Sequence, residues 1–355
     1  MRQSVLVYLL LFISSGLLAN FDSSFTMNKH SKPPKYCQPR IIGMSPNKVI
    51  SIGWDHEFKQ NLQSTPLGSF NKKDPATYTE TASFKRVNGI RITAKAPLIN
   101  KPKIIWQLGL NYWRSDYELK THEGTASSHK LAEHLHVNGL RSTGLNTSVY
   151  KPLNAKHFII AQIGADLNGM YSSKNKASLS ALKYSALAMY GQKPSDRKQW
   201  AIGMVRAYGA GEASIMPLIM FNYTDASKLW GAEIMLPARA FYRRVLSKNS
   251  LMRAGYELEG GSYRLRELNT LICGGNLELR RGEFRTKVEY QRQLYKSFWL
   301  AVQTGYVVSV NYKVDELGYG ENDFSRGLSG KQPYAMLNKL SNFMFLNLSV
   351  NFVSL

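Results

Sequence analysis

The sequence predicts an all-β protein, a closed antiparallel transmembrane β-barrel in up-and-down order with about fourteen strands, or twelve by the alternative count. Three observations predict it. From residue 49 to residue 355, strand-length segments place apolar residues at every second position. The positions between them are filled mainly by Gly, Asn, Ser and Gln, as in a crowded wet lumen. Connections alternate between short and long, as the two ends of such a barrel require.

The N-terminus reads as an address. Met1 and Arg2 precede an apolar stretch over residues 5–18, so residues 1–19 predict a secretory signal peptide cut after Ala19 or after Gly16. No cysteine lies near the cut, which argues against lipid anchoring. Residues 20–48, with Lys32-Pro33-Pro34-Lys35, predict a flexible periplasmic tail, and residues 49–355 the barrel.

Strands are expected to start near residues 49, 84, 103, 139, 157, 181, 199, 215, 229, 239, 250, 282, 298 and 343. Leu346, Leu348, Val350 and Phe352 form one face of the last strand, and Asn347, Ser349 and Asn351 the other. In residues 300–313 the outward set is Leu300, Val302, Thr304, Tyr306, Val308, Val310 and Tyr312, with Val307 breaking the opposite set. Around Trp106 and in residues 159–168 the same alternation recurs. Tyr and Trp number 20 and 6 against 15 Phe, and Trp54, Tyr190, Trp200, Trp230, Tyr242 and Trp299 sit near segment ends, where aromatic girdles are placed. A soluble sandwich or lipocalin-like barrel would also alternate, with its apolar face inward. If Val350 faces lipid near the midplane, Val350→Arg should cost about 2–4 kcal/mol in a bilayer folding titration.

Short inner turns are expected at residues 97–103, 151–156, 191–198, 222–228, 247–250 and 293–297, and outer loops at 60–82, 120–136, 169–178, 262–280 and 314–342. The connections near Gly209 and Pro237 are short for outer loops.

The arrangements in residues 231–244, 257–265 and 299–306, ending in Thr304-Gly305-Tyr306, resemble the uncharacterised outer-membrane β-barrel proteins of Bacteroidota grouped as a domain of unknown function. The resemblance covers residues 49–355. It implies the fold and an outer-membrane location and carries over no functional residue. The chain departs from the usual aromatic C-terminus, because Phe352 is followed by Val353, Ser354 and Leu355.

Recognisable chemistry is sparse. His129, Glu133 and His136 would share one face of a short helix opened by Ser127 or Ser128, a weak metal candidate beside a solvated outer loop that also holds His122 and His134. His157 and Asp166 share a strand and read as structural. No nucleophile elbow, phosphate loop or dinucleotide pattern occurs, so no catalytic residue and no cofactor is expected. Cys37 and Cys273 fall at opposite ends of this topology and are expected as free thiols or in one intermolecular bridge.

The chain carries 46 basic and 24 acidic residues, a net charge of +22. Residues 1–48 hold 6 and 1 of these, leaving 40 against 23 in the body, or +17. Export argues against nucleic acid as the partner of that charge. Outer-membrane lipids, the barrel-assembly machinery and small anionic solutes are the candidate partners. Arg253, Glu257, Arg285, Lys287 and Glu289 are expected to face the lumen on neighbouring strands, where opposite signs can pair across the wall; three are positive and two negative, and the surplus predicts that removal of Arg285 and Lys287 shifts any conductance toward cations. The sequence thus predicts a pore or transport barrel, with a plugged structural or surface-interaction barrel second and a membrane lipid hydrolase third.

Overall fold

The structure is a computed structural model that describes residues 35–66, 79–120, 129–171, 179–208, 211, 213–265, 276–317 and 334–354. The segment read as a signal peptide and Cys273 lie outside the described residues.

Alternating segments of this kind bury one face only when the sheet curls on itself, and here it closes completely. In chain order the strands are β1 (Asn47–Glu57), β2 (Gln60–Pro66), β3 (Glu80–Lys101), β4 (Ile104–Leu119), β5 (Leu140–Pro152), β6 (His157–Gly169), β7 (Leu182–Ser195), β8 (Lys198–Ala207), β9 (Ser214–Thr224), β10 (Trp230–Leu236), β11 (Arg239–Ser247), β12 (Ser250–Leu265), β13 (Asn276–Tyr295), β14 (Phe298–Leu317), β15 (Tyr334–Leu340) and β16 (Phe343–Ser354). Helix α1 (Lys130–Asn138) stands between β4 and β5. β1 and β2 are successive pieces of one wall strand, since both pair with β3: Ile50↔Ala94 to Glu57↔Val87, then Gln60↔Phe84 to Ser64↔Glu80. β15 and β16 likewise share the place beside β14. Sixteen pieces therefore make fourteen antiparallel wall strands, closed where β1 pairs with β16 from Asn47↔Ser354 to Glu57↔Phe345. Closure leaves no backbone edge to face hydrocarbon.

The outer face is apolar. Leu348 and Val350 are exposed, as are Ile90, Leu108, Leu110, Ile163, Ile202, Ile219, Val288 and Val310 around the ring, while Asn347, Ser349 and Asn351 are buried inside. Tyr223, Trp230 and Tyr242 make a ring cluster at the end of the short turns, centroids 5.3 and 6.2 Å apart, and Trp54, His56 and Phe58 make another near the opposite end of β1.

Two aromatic assignments reverse. Trp299 is 8% exposed and points inward with Ala301, so it belongs to no girdle. Tyr312 is buried inside because the register shifts between Gly282↔Asn311 and Glu283↔Ser309; Val310 is the extra residue, and past it every side chain changes face. The tail expectation also fails for its described part. Ile41 and Cys37 are buried, Ile42 donates its N–H to the Asp196 carbonyl (2.8 Å) and Cys37 donates its N–H to the Asn154 carbonyl (3.0 Å), so residues 35–46 are held against the barrel.

Candidate functional site

The inward face is where this fold can carry function, and β12, β13, β1 and β3 concentrate charge on it. In the half toward the long loops, Glu57 takes Arg281 (3.0 Å) and Arg285 (2.7 Å), Glu283 takes the same two guanidiniums (2.5 and 2.7 Å), and Arg285 lies 3.4 Å from Glu259. Arg91, reaching from β3, grips Glu259 with both Nη atoms at 3.0 Å and Asp55 through Nε at 3.1 Å. Three guanidiniums thus meet four carboxylates. Charges this deep are retained only with partners, since removing each from water costs several kcal/mol.

Toward the short turns the balance changes. Arg253 binds Glu289 and lies 3.7 Å from Glu233, Arg243 reaches Glu233 at 3.2 Å, Lys48 reaches Glu289 at 3.1 Å, and Lys287 reaches Glu257 at 2.5 Å. The segment before β1 joins this group as a strap. It passes the β5–β6 and β7–β8 turns, where Lys193 Nζ donates to the Arg40 carbonyl (2.8 Å). Ser45 then donates through both N–H and Oγ to Glu233 Oε1, each at 2.8 Å. Since β1 stands across the ring from β8, the strap crosses the bore to reach it. Burial holds the Arg40 guanidinium below its ordinary value, with Glu233 opposing and Arg243 adding to the effect.

The other end of the bore is bridged differently. Gly169, ending β6, pairs with Arg264 of β12 on the opposite wall, and the Met170 N–H donates to the Arg264 carbonyl at 3.0 Å. A Cβ at Gly169 would stand 2.8 Å from that carbonyl oxygen, so this backbone approach requires glycine. Around it Leu131 and Leu135 of α1 pack with Phe84, Tyr117, Leu265, Leu277, Leu279 and Val314 into an apolar core inside the barrel.

At mid-height of the arc β4–β6, between the apolar cluster around Tyr150, Phe158 and Met189 and the one around Tyr117 and Leu140, the inward side chains are short and hydrogen-bonded to one another. Asn111 Nδ2 donates to Asp166 Oδ1 (3.1 Å) and Asn146 Nδ2 to Asn111 Oδ1 (3.0 Å). They lie over glycines: a Cβ on Gly144 would stand 1.8 Å from Asp166 Oδ1 and 2.4 Å from Asn111 Nδ2, and one on Gly109 2.5 Å from Asn146 Oδ1.

All five charges expected in the lumen face it. Each has a partner, so the expected surplus does not lie on Arg285 and Lys287, which are neutralised by Glu57, Glu259, Glu283 and Glu257. Two pairs, Arg253 with Glu289 and Lys287 with Glu257, join neighbouring strands as opposite signs on one wall can; Glu57 escaped sequence reading because β1 reaches β13 only across the closing seam, although alternation alone puts Asp55 and Glu57 inward. His129, Glu133 and His136 do not converge. His129 is buried as the N-cap of α1, its Nδ1 accepting the Ala132 N–H at 3.2 Å, with Glu80 farther off at 3.9 Å; His136 lies 2.7 Å from the Tyr117 carbonyl, and Glu133 is exposed. Burial lowers the affinity of His129 for a proton, which suits an acceptor. His122 lies outside the described residues, and among those described no three His, Cys, Asp or Glu residues form a metal-holding group. His157 lies 2.6 Å from the Tyr190 hydroxyl, away from Asp166. Cys37 is a free, buried thiol 3.2 Å from the Tyr150 hydroxyl.

The profile of a family described as a domain of unknown function (DUF6268) matches residues 92–326. No curated protein matches the sequence. Among solved structures the chain is similar to an outer-membrane channel from Pseudomonas putida F1, at 11% identity over 92% of this chain and 100% of that one, with a TM-score of 0.36. It is also similar to a FadL homologue from Pseudomonas aeruginosa, at 9% identity over 87% and 91% of the chains, TM-score 0.36. A third is the outer-membrane protease OmpT of Escherichia coli, at 8% identity over 87% and 97%, TM-score 0.28. These likenesses carry no functional residue to this chain.

Proposed function

Because the chain belongs to the family described as a domain of unknown function (DUF6268), which brings no activity with it, we propose from the lumen itself that this is a pore of the bacterial outer membrane for small polar solutes, closed at both ends in the conformation described. An exported barrel with an apolar outer face and aromatic clusters fits that membrane, and the resemblance to Bacteroidota proteins fits it as well. The observation that carries the reading is the arc β4–β7. There, at mid-height between two apolar clusters, glycines let Asn111, Asn146 and Asp166 lie against the wall, leaving a band of polar hydrogen-bonding surface where a purely structural barrel would gain by packing side chains to interior density.

The strap is the removable closure. It is held mainly by hydrogen bonds to turn carbonyls and to Glu233, and Glu233 keeps Arg243 and Arg253 without it. In planar bilayers the full chain is expected to show small or rare openings, and a chain lacking residues 35–45 larger and longer ones. The second reading, a plugged structural barrel, is favoured by the β6–β12 contact and the apolar core around α1. If neither form conducts, that reading replaces the pore.

A further inference from the structure

The short-turn end of the barrel carries a collar of positive charge. Residues 101–103, 151–156, 195–198, 225–229, 244–249 and 292–297, which make the six short turns, hold eleven Lys and Arg against two Asp, a net of +9. All eleven are exposed, and among the described residues none has a carboxylate within 4.0 Å. The two aspartates are engaged elsewhere. Asp196 lies 3.8 Å from the buried Lys193, and Asp225 accepts from the Ser227 N–H at 3.0 Å and from its hydroxyl at 2.6 Å. The surface pairs of the opposite end, where Lys85 and Arg86 hold Glu118 and Arg114 holds Asp116, have no counterpart in the collar.

Four of the cations stand on outward rows of the wall. Arg244 is in register with Trp230 and Met252, Lys198 with Tyr223, and Lys151 with Ile159. Arg292 is in register with Leu300, whose row continues to the exposed Val350. Tyr223, Trp230 and Tyr242 are the ring cluster of this end, and the Lys198 ammonium lies 5.8 Å from the centre of the Phe221 ring. Aliphatic side chains, then amphipathic rings, then cations follow one another toward the turns, the order in which a bilayer passes from hydrocarbon to headgroup.

We propose that this collar binds the anionic phospholipid headgroups of the leaflet that surrounds it, the periplasmic leaflet in this topology. The shape of the collar selects that partner. Its cations come from every one of the turns that join β3 to β4, β5 to β6, β7 to β8, β9 to β10, β11 to β12 and β13 to β14, so they encircle the barrel at one height. A membrane surface meets such a ring on all sides at once, whereas a soluble acidic partner is served by a patch on one side. The inference goes beyond the pore reading and does not depend on it, because these side chains lie outside the bore.

The full chain, reconstituted in phosphatidylcholine vesicles with spin-labelled phosphatidylglycerol or spin-labelled phosphatidylcholine, tests it through the fraction of each label immobilised at the protein. The wild type should prefer phosphatidylglycerol by about five-fold or more, the effect of one Lys or Arg at an anionic surface. That preference should fade in about 1 M salt, where charges are screened beyond about 3 Å. The variant Lys151→Gln, Lys198→Gln, Arg244→Gln, Arg292→Gln should lose at least about half of it. Lys85→Gln with Arg86→Gln, at the end where the cations already hold a carboxylate, should leave it intact. The inference is overturned if the wild type shows no preference, if the folded quadruple variant keeps all of it, or if the variant at the opposite end loses as much. Should the quadruple variant not fold, a wild-type preference that persists undiminished in high salt overturns it equally. Binding of soluble polyglutamate by a wild type without lipid preference would assign the collar to a soluble polyanion instead.

Discussion

Glu57→Ala is expected to destabilise the barrel by about 3–5 kcal/mol, the usual cost of removing one partner from a buried ion pair. Glu57 Oε1 lies 3.0 Å from Arg281 and 2.7 Å from Arg285, and Oε2 accepts from Gln60 at 2.9 Å. Without it both guanidiniums compete for Glu283, and Arg285 leans on the more distant Glu259. Neither can turn outward, because each is about 5% exposed or less. Urea titration into lipid vesicles measures the loss. A drop below about 1 kcal/mol, the range of an exposed pair, would show that water enters this half of the lumen and screens it. Glu57→Gln should cost less, since its oxygen still accepts. Adding Arg285→Met to Glu57→Ala should recover part of the loss, because a buried charge is then no longer stranded.

Gly144→Val is expected to narrow the bore more than any exchange at a position that already has a side chain. The added Cβ would stand 1.8 Å from Asp166 Oδ1, so that carboxylate must leave the wall and project inward, breaking its hydrogen bond with Asn111. In the strapless chain, single-channel current should fall and ion preference should move toward cations, since a negative group then stands in the path. Gly144→Val with Asp166→Ala should restore much of the current. Unchanged current in the single variant would place the solute path elsewhere than on the arc β4–β7.

Much of the wall was legible. Period-two alternation marks which residues of β16, β13 and β6 face out, and turn chemistry marks where they end, because both signals are local. What escaped is non-local. Residues 35–46 contain Pro and Lys and few apolar side chains, so they resemble a linker; what holds them is largely backbone, Ile42 on Asp196 and Cys37 on Asn154, which no side-chain pattern announces. Tyr312 was misplaced by a single bulged residue, and Trp299 because a large aromatic near a strand end is the same letter whether it faces headgroup or lumen. The five lumen charges were visible from alternation, and pairing between neighbouring strands with them, as Arg253 with Glu289 and Lys287 with Glu257; the longer-range pairs were not, since Arg91 meets Glu259 across the bore and Glu57 meets Arg285 across the seam. Sequence distance says nothing about either.

The seam itself dictates an order of events. The ring is completed by Asn47 pairing with Ser354, the first strand of the body with the last. Every hairpin between them can form as soon as it is made, but each partial sheet has two raw edges, and a lipid bilayer offers those edges no hydrogen bonds. Synthesis and insertion are therefore separated by necessity: the chain must be kept out of the bilayer, or its edges shielded, until β16 has arrived. Loss of the last strand would then be felt first at β1, the element farthest from it in the chain, as two unsatisfied borders instead of one missing piece.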